Sequence, residues 1–373
     1  MLGWTAPMAA FSDPQFATNP VDCDPHSCCQ WQPSFVLLPS QNQLAVTWTD
    51  SSKLFRWSTL CAGEHQKWHN TVATFSGATA ENGTFPIFDN ITWAFFPSQN
   101  SIVLKSGRVL APVVLSDRSN QPAPDAPPGL APSVATQKRC SVVYTDDFGQ
   151  TWNVSHGTYQ PHRTWAQWEP TVVQLDDDNN TILMFCRNND PRAIEDGGPQ
   201  PADRLLTSTS VDDGATWTPL RAVPIQTTMS RPFVTSLSSE VTSSSNLRHT
   251  TLQRLLMTHN DWWTGRTFHD RLNAALYFAL GDSGTTFTAA GGYSQPGEEA
   301  MYPQMFIDSS ATGNSRSNEA STSVMISYSS GNLPRSIRVA RIQSLPSPTA
   351  RHVFPRTDLP VPARPNLVDQ RFF

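Results

Sequence analysis

Short apolar runs recur along this chain at a nearly constant spacing. Each is bounded by turn-forming residues and followed, after a turn, by a second apolar run. Residues 32–38 lead to 43–48, 99–105 to 107–114, 169–175 to 181–187, 231–237 to 254–259, and 302–307 to 324–328. The runs begin near positions 33, 100, 170, 232 and 303, so the repeat is 62–71 residues long. Runs of this length between turns predict buried strands rather than helices. Third strands are predicted over 204–210 and 272–278. Four strands in each unit of about 65 residues predict the blades of an all-β propeller.

A second pattern supports the same reading. Ser210-Val211-Asp212-Asp213-Gly214-Ala215-Thr216-Trp217 reads Ser-x-Asp-x-Gly-x-Thr-Trp, and residues 145–152 repeat it with Thr145 in place of Ser. Residues 280–287 form a degenerate third copy, with Leu280 at the first position and Phe287 at the aromatic. In such an octet the Asp carboxylate accepts backbone N–H groups across a tight turn, and Gly takes the positive-φ position. The Trp packs back under the turn. Asp147, Asp212 and Asp282 are therefore read as structural, and Trp152 and Trp217 as core. Two segments interrupt the repeat and are expected to be loops, the Pro/Ala-rich 119–135 and the Ser/Thr-rich 236–251. The predicted organisation is an irregular segment over 1–30, one propeller over 31–345 and a Pro-rich tail over 346–373.

Composition narrows the partners. The net charge is −5 and charged residues are 15%, with no basic stripe, so nucleic acid is not an expected partner. No apolar run approaches the ~18–20 residues of a membrane-spanning helix. Residues 1–10 lack a charged n-region, so no signal peptide is read there. Yet Asn82, Asn90, Asn153 and Asn179 head glycosylation sequons, and Cys23, Cys28 and Cys29 cluster where disulfides with Cys61 are feasible. These features favour a secreted protein whose leader is not part of this chain. No Cys/His spacing specifies a metal site.

The first strands of a propeller line its central channel, and their starts face one mouth. The residues at those starts are Gln32, Gln99-Asn100, Glu169, Arg231 and Tyr302, an unusually polar set to open apolar strands. Arg187 ends the second strand of the third repeat, and Arg271 begins the third strand of the fourth. A Glu opening an apolar strand needs a partner if it is buried. Arg187 either supplies that partner or faces a ligand. Tyr302 is either a reactive phenol or a channel-lining side chain.

On these residues the chain resembles the Asp-box glycosidases, the sialidases and their relatives, including fungal exo-arabinanases. The resemblance lies in Glu169-Pro-Thr-Val-Val-Gln-Leu with Met184-Phe-Cys-Arg187, in Arg271-Leu-Asn-Ala-Ala-Leu-Tyr277 and in Tyr302-Pro-Gln-Met305, and it covers roughly residues 31–345. It implies a sialidase-like β-propeller with six blades, of which five four-stranded repeats are recognisable. It further implies Tyr302 as nucleophile and Glu169 as the carboxylate that takes its proton, an exception to the two-carboxylate rule for glycosidases. Arg187 and Arg271 resemble the second and third arginines of the clamp that grips a sugar carboxylate. The Phe/Tyr-Arg-Ile-Pro motif that opens sialidases is missing. Either Gln32 holds that place, or Gln32 opens the second blade and the first lies outside this chain. Asp50 is the candidate general acid. Arg231, Gln32, Asn100, Trp262 and Trp263 complete the candidate substrate-binding set, the two tryptophans as sugar-stacking rings. The expected function is an exo-acting glycoside hydrolase removing a terminal sugar, neutral or acidic, from a glycan, with no cofactor. The alternatives are a non-catalytic carbohydrate-binding propeller and a lyase acting on uronic-acid polysaccharides.

Overall fold

The fold is that of a computed structural model, which describes residues 31–38, 40, 43–49, 55–61, 68–72, 93–98, 100–117, 138–156, 167–175, 180–188, 204–226, 230–241, 250–260, 274–280, 288–292, 294, 300–308, 323–330 and 336–342. The described residues are all β, and none lies in an α-helix. They form five antiparallel sheets in chain order. Blade 1 is β1(Trp31–Leu38), β2(Gln43–Thr49), β3(Phe55–Cys61) and β4(Trp68–Val72). Blade 2 begins with two short pieces, β5(Trp93–Pro97) and β6(Ile102–Val103), which both pair with β7(Val109–Asp117). It continues through β8(Lys138–Thr145) and β9(Asn153–Val154). Blade 3 is β10(Gln167–Gln174), β11(Ile182–Asn188), β12(Arg204–Ser210) and β13(Arg221–Gln226). Blade 4 is β14(Phe233–Val241), β15(Thr250–Asn260), β16(Ala274–Leu280) and β17(Thr288–Gly292). Blade 5 is β18(Ala300–Asp308), β19(Ser323–Ser330) and β20(Ser336–Ile342).

The repeat read from the sequence is thus present, with differences. Five blades are described rather than six, the fifth has three strands, and no strand pairing joins the first and fifth sheets among the described residues. The expected 236–251 loop is partly strand. Ser236 to Val241 pair with Leu255 to Thr250, and only 242–249 lie outside the described residues. Ser and Thr suit a cross-strand ladder when their neighbours continue the pleat, and the tract was too polar to advertise it. The expected 119–135 insertion lies outside the described residues.

Packing runs from blade to blade. Alternation along each strand gives every sheet two apolar faces. Val36, Leu38, Ala45 and Trp57 of blade 1 meet Val109, Val113 and Trp152 of blade 2. The opposite face of blade 2 carries Leu110, Cys140 and Val142, which meet Val172, Met184 and Trp217 of blade 3. The opposite face of blade 3 carries Val173, Phe185 and Leu205, which meet Val234, Leu255 and Met257 of blade 4. A Cys140–Cys186 disulfide, Cα–Cα 6.3 Å, ties β8 to β11 across the second of these cores. That pair was not among the cysteines the sequence singled out. Cys23, Cys28 and Cys29 lie outside the described residues.

The two complete octets build the same network. Asp147 accepts from Thr145 Oγ1 at 2.7 Å, Thr151 N at 2.8 Å and Thr151 Oγ1 at 2.6 Å. Asp212 accepts from Ser210 Oγ at 2.8 Å, Thr216 N at 2.9 Å and Thr216 Oγ1 at 2.5 Å. Burial raises each carboxyl, but these bonds outweigh it, and both sit below the usual carboxylate range. Trp217 Nε1 donates to Gly214 O at 3.0 Å, closing the turn from beneath. The 281–287 part of the third octet lies outside the described residues.

The octets also buckle neighbouring blades. Ser155 Oγ donates to Gly214 O, His156 N to Ala215 O and Trp217 N to His156 O, so the end of blade 2 is sewn to the turn of blade 3. Arg108 grips Asp146 with two N–H···O bonds of 2.7 and 2.9 Å and reaches Asp213 O at 3.1 Å. Each octet glycine lies against the preceding blade. A Cβ on Gly149 would stand 2.5 Å from Trp57 Cδ1, and one on Gly214 would stand 2.9 Å from Leu110 Cδ1.

Candidate active site at the mouth of the first strands

The first strands share one irregularity. In β1 the register jumps between Trp31↔Thr49 and Ser34↔Thr47, skipping Gln32-Pro33. In β10 it jumps between Trp168↔Arg187 and Thr171↔Phe185, skipping Glu169-Pro170. In β18 it jumps between Met301↔Ser329 and Gln304↔Ser327, skipping Tyr302-Pro303. Asn100 lies in the break between β5 and β6, and Arg231-Pro232 immediately precede β14. Each skip is a β-bulge, one extra residue that re-aims a side chain. Proline is tolerated there because the ladder needs no N–H from it. Asn100, Glu169 and Tyr302 all have positive φ, at 80°, 47° and 53°. A bulky residue such as Tyr in this region is strained.

The bulges of blades 3 and 5 and the head of blade 4 bring their side chains together. Arg187 Nη1 donates to Glu169 Oε2 at 2.6 Å, and both side chains are buried, at 5% and 4% exposure. Arg187 also lies 5.7 Å from the centre of the Trp168 ring. The Arg231 guanidinium stands over the Tyr302 ring, 5.0 Å from its centre. Arg231 is buried and Tyr302 half-buried. Burial pushes the Arg231 guanidinium down to about 10; the charges of Glu169 and Tyr302 oppose that shift, and Arg187 reinforces it. Arg231 therefore feels Glu169, Tyr302 and Arg187 together. A carboxylate, a phenol and two guanidiniums share one mouth.

Asn100 turns the other way. Its Nδ2 donates to Val172 O at 2.7 Å and Val234 O at 2.8 Å, pinning blade 2 to the first strands of blades 3 and 4. It stands at the head of a cleft of about 360 Å3 lined by Ile102, Lys105, Val172, Gln174 and Val234. Glu169, Arg231 and Tyr302 do not line that cleft, which lies between the first strands of blades 2, 3 and 4.

Two further polar side chains near the mouth are structural. His259 and Asn260 are buried at the end of β15. The protonated Nδ1 of His259 donates to Asn260 O at 2.8 Å, and burial lowers this imidazole to about 4. Asn260 Nδ2 donates to Ala300 O at 2.9 Å, two residues before Tyr302, and so fixes the approach to the bulge. Gln167 Oε1 accepts from Cys140 N at 2.9 Å and anchors β10 two residues before Glu169. Gln167 lies between Ala166 and Trp168, an apolar context that could have flagged it, whereas Asn260, between His259 and Asp261, carried no such signal. Of the remaining candidates, Gln32 has its backbone placed at the blade 1 bulge. Asp50, Arg271, Trp262 and Trp263 lie outside the described residues.

The BNR repeat-like domain family matches residues 21–314. The chain belongs to this family. No curated protein sequence matches it. Among solved structures, the Hadza microbial sialidase Hz136 superposes with a TM-score of 0.53 at 13% identity over 89% of this chain, which spans 56% of that sialidase's length. An α-L-arabinanase from Penicillium chrysogenum, solved with arabinobiose, gives 0.42 at 13% identity, covering 84% of this chain and 93% of that one. An intramolecular trans-sialidase from Ruminococcus gnavus gives 0.42 at 10% identity, covering 84% and 94%. The BNR repeat-like family and the sialidase-like fold therefore agree with the blades and octets above.

Proposed function

We propose that this protein is an exo-acting glycoside hydrolase that removes a terminal sugar from a glycan, with Tyr302 as nucleophile and Glu169 as its assisting carboxylate. One observation carries the reading. Glu169 and Tyr302 occupy the same bulge position in two different blades, both at positive φ, and the Arg231 guanidinium stands over the Tyr302 ring while feeling the charge of Glu169. Strain of this kind, repeated where polar side chains converge, is characteristic of functional sites.

The chemistry suits these groups. An ordinary phenol, of pKa about 10, attacks poorly at neutral pH, and an adjacent carboxylate that takes its proton corrects this. Attack of the Tyr302 oxygen on the anomeric carbon breaks the bond to the leaving oxygen, which must take up a proton from a general acid. Asp50 remains the candidate for that role. Water then cleaves the glycosyl–tyrosine bond, with overall retention of configuration. Arg187 serves this site by holding Glu169, and Arg231 by packing against the Tyr302 ring. The inter-blade disulfide favours an oxidising, extracellular setting.

The test is release of terminal sugar from a panel of sialosides, arabinan and uronic-acid glycans by the wild type, Tyr302→Phe and Glu169→Gln. Hydrolysis by the wild type that falls at least ~10³-fold in Tyr302→Phe supports the assignment. Hydrolysis that survives in Tyr302→Phe refutes it. Unsaturated uronate as product replaces it with a lyase, and binding without turnover by folded protein replaces it with a glycan-binding propeller.

A further inference from the structure

Blades 2, 3 and 4 are covered on both faces. The two end blades each leave large apolar side chains exposed on one face. In β1, Ser34, Val36 and Leu38 point toward blade 2; on the other face Val46 of β2 is buried, while Phe35 and Leu37 are 50% and 62% exposed. In blade 5, Val324, Ile326 and Tyr328 are buried, while Phe306 and Val339, on the opposite face, are 62% and 65% exposed. Paired large apolar side chains on a sheet face that is buried in every neighbouring blade mark a surface built to be covered.

We propose that residues 1–30 of this chain cover the open face of blade 1, packing on Phe35 and Leu37. The repeat itself points to this segment. In blades 2 to 5 the first strand is reached from the last strand of the preceding blade after 6 to 20 intervening residues. The chain just upstream of each first strand therefore comes from the sheet that covers that strand's face. Residues 1–30 run directly into β1 and hold the corresponding place in the sequence for blade 1. Their length fits. The outer strand pairs Phe55–Val72, Lys138–Val154, Arg204–Gln226 and Ala274–Gly292 take 17 to 23 residues each. Their composition fits as well, because Leu2, Trp4, Met8, Phe11 and Phe16 offer apolar side chains to an apolar face. The segment ends two residues before the Gln32-Pro33 bulge, so its seating also fixes the blade 1 corner of the mouth.

The test is a photo-cross-link in the full chain. Leu37→p-benzoylphenylalanine places a reactive ketone on the open face at an exposed position, and Phe35→p-benzoylphenylalanine repeats the experiment if the first variant fails to fold. After irradiation at low protein concentration, the linked peptides are mapped by mass spectrometry. Links within one molecule to residues 1–30 are expected. Links to blade 5 strands would mean that the sheets close on one another, and links to residues 343–373 would assign the tail instead. Links to a second molecule would make the face a dimer surface. Each of those results, or the absence of any link in folded protein, overturns the proposal.

Discussion

Arg187 is the residue whose role the geometry decides most sharply, and a mutant cycle tests it. Its guanidinium is 2.6 Å from Glu169 with both side chains almost fully buried, and Arg231 adds a second positive charge that Glu169 offsets. Removing one member of a buried ion pair strands the other and costs about 3–5 kcal/mol. Arg187→Met also forfeits the contact with Trp168, which adds about 0.5–2 kcal/mol. Glu169→Gln leaves two buried guanidiniums repelling without the carboxylate that both feel, so it belongs in the same range. The double variant removes the pair and one of the repelling charges at once. Its cost should fall below the sum of the singles by at least about 2 kcal/mol. The measurement is urea unfolding of the wild type, both singles and the double, with unchanged m-values as the condition for comparing them. Additivity within about 0.5 kcal/mol would mean that the two side chains do not interact, and the positioning role of Arg187 would fall with it.

Two further predictions concern the scaffold. Gly107, Gly149 and Gly214 all have φ near +80 to +90°, but a Cβ meets nothing within 4 Å at Gly107, the mobile end of Leu110 at Gly214, and the ring of Trp57 at Gly149. Gly107→Ala should therefore cost about 1–2 kcal/mol. Gly214→Ala should cost about 1–3 kcal/mol more through overpacking, and Gly149→Ala the most, because the Trp57 ring is held edge-on to Trp152 at 5.3 Å. Thermal unfolding that showed equal losses at all three positions would refute the close approach of octet to preceding blade. Buried His259, lowered from 6.5 to about 4, is neutral in the fold, so the unfolded chain binds the extra proton. Stability should be full above pH ~6.5 and fall by up to about 3 kcal/mol as the pH drops through 4. His259→Asn should flatten that limb, and an unchanged limb would place the acid sensitivity elsewhere.

The periodicity of the sequence revealed which residues share a position in the repeat, and that was enough to locate the strands and the mouth. The β12 strand falls on the predicted residues 204–210, and the Asp212 network has the bonds that an Asp-Gly turn demands. What spacing could not reveal is the direction a side chain takes once the backbone leaves the pleat. Asn100, Glu169 and Arg231 open equivalent strands, yet Asn100 turns into the channel wall, Glu169 onto Arg187, and Arg231 onto the Tyr302 ring. The proline after Gln32, Glu169 and Tyr302 was the legible trace of the bulges, because a proline inside a buried strand has few other places to sit. The Cys140–Cys186 bond left no trace, since both cysteines read as ordinary members of apolar strands.

The bulges also argue that their side chains are used. Positive φ costs a non-glycine residue about 1–2 kcal/mol relative to glycine. Asn tolerates that region, and Asn100 recovers the cost by bonding two carbonyls of neighbouring blades. Phe148 and Asp213 adopt it inside the octets, where the turn itself is tied down by the Asp carboxylate. Glu169 and Tyr302 have neither excuse, and each is followed by a proline that restricts the backbone further. Glycine at either place would ease the strain and complete the same bulge. What it would lose is a carboxylate on Arg187 and a phenol ring under Arg231. The strain therefore concentrates on the two side chains to which the proposed chemistry assigns the base and the nucleophile.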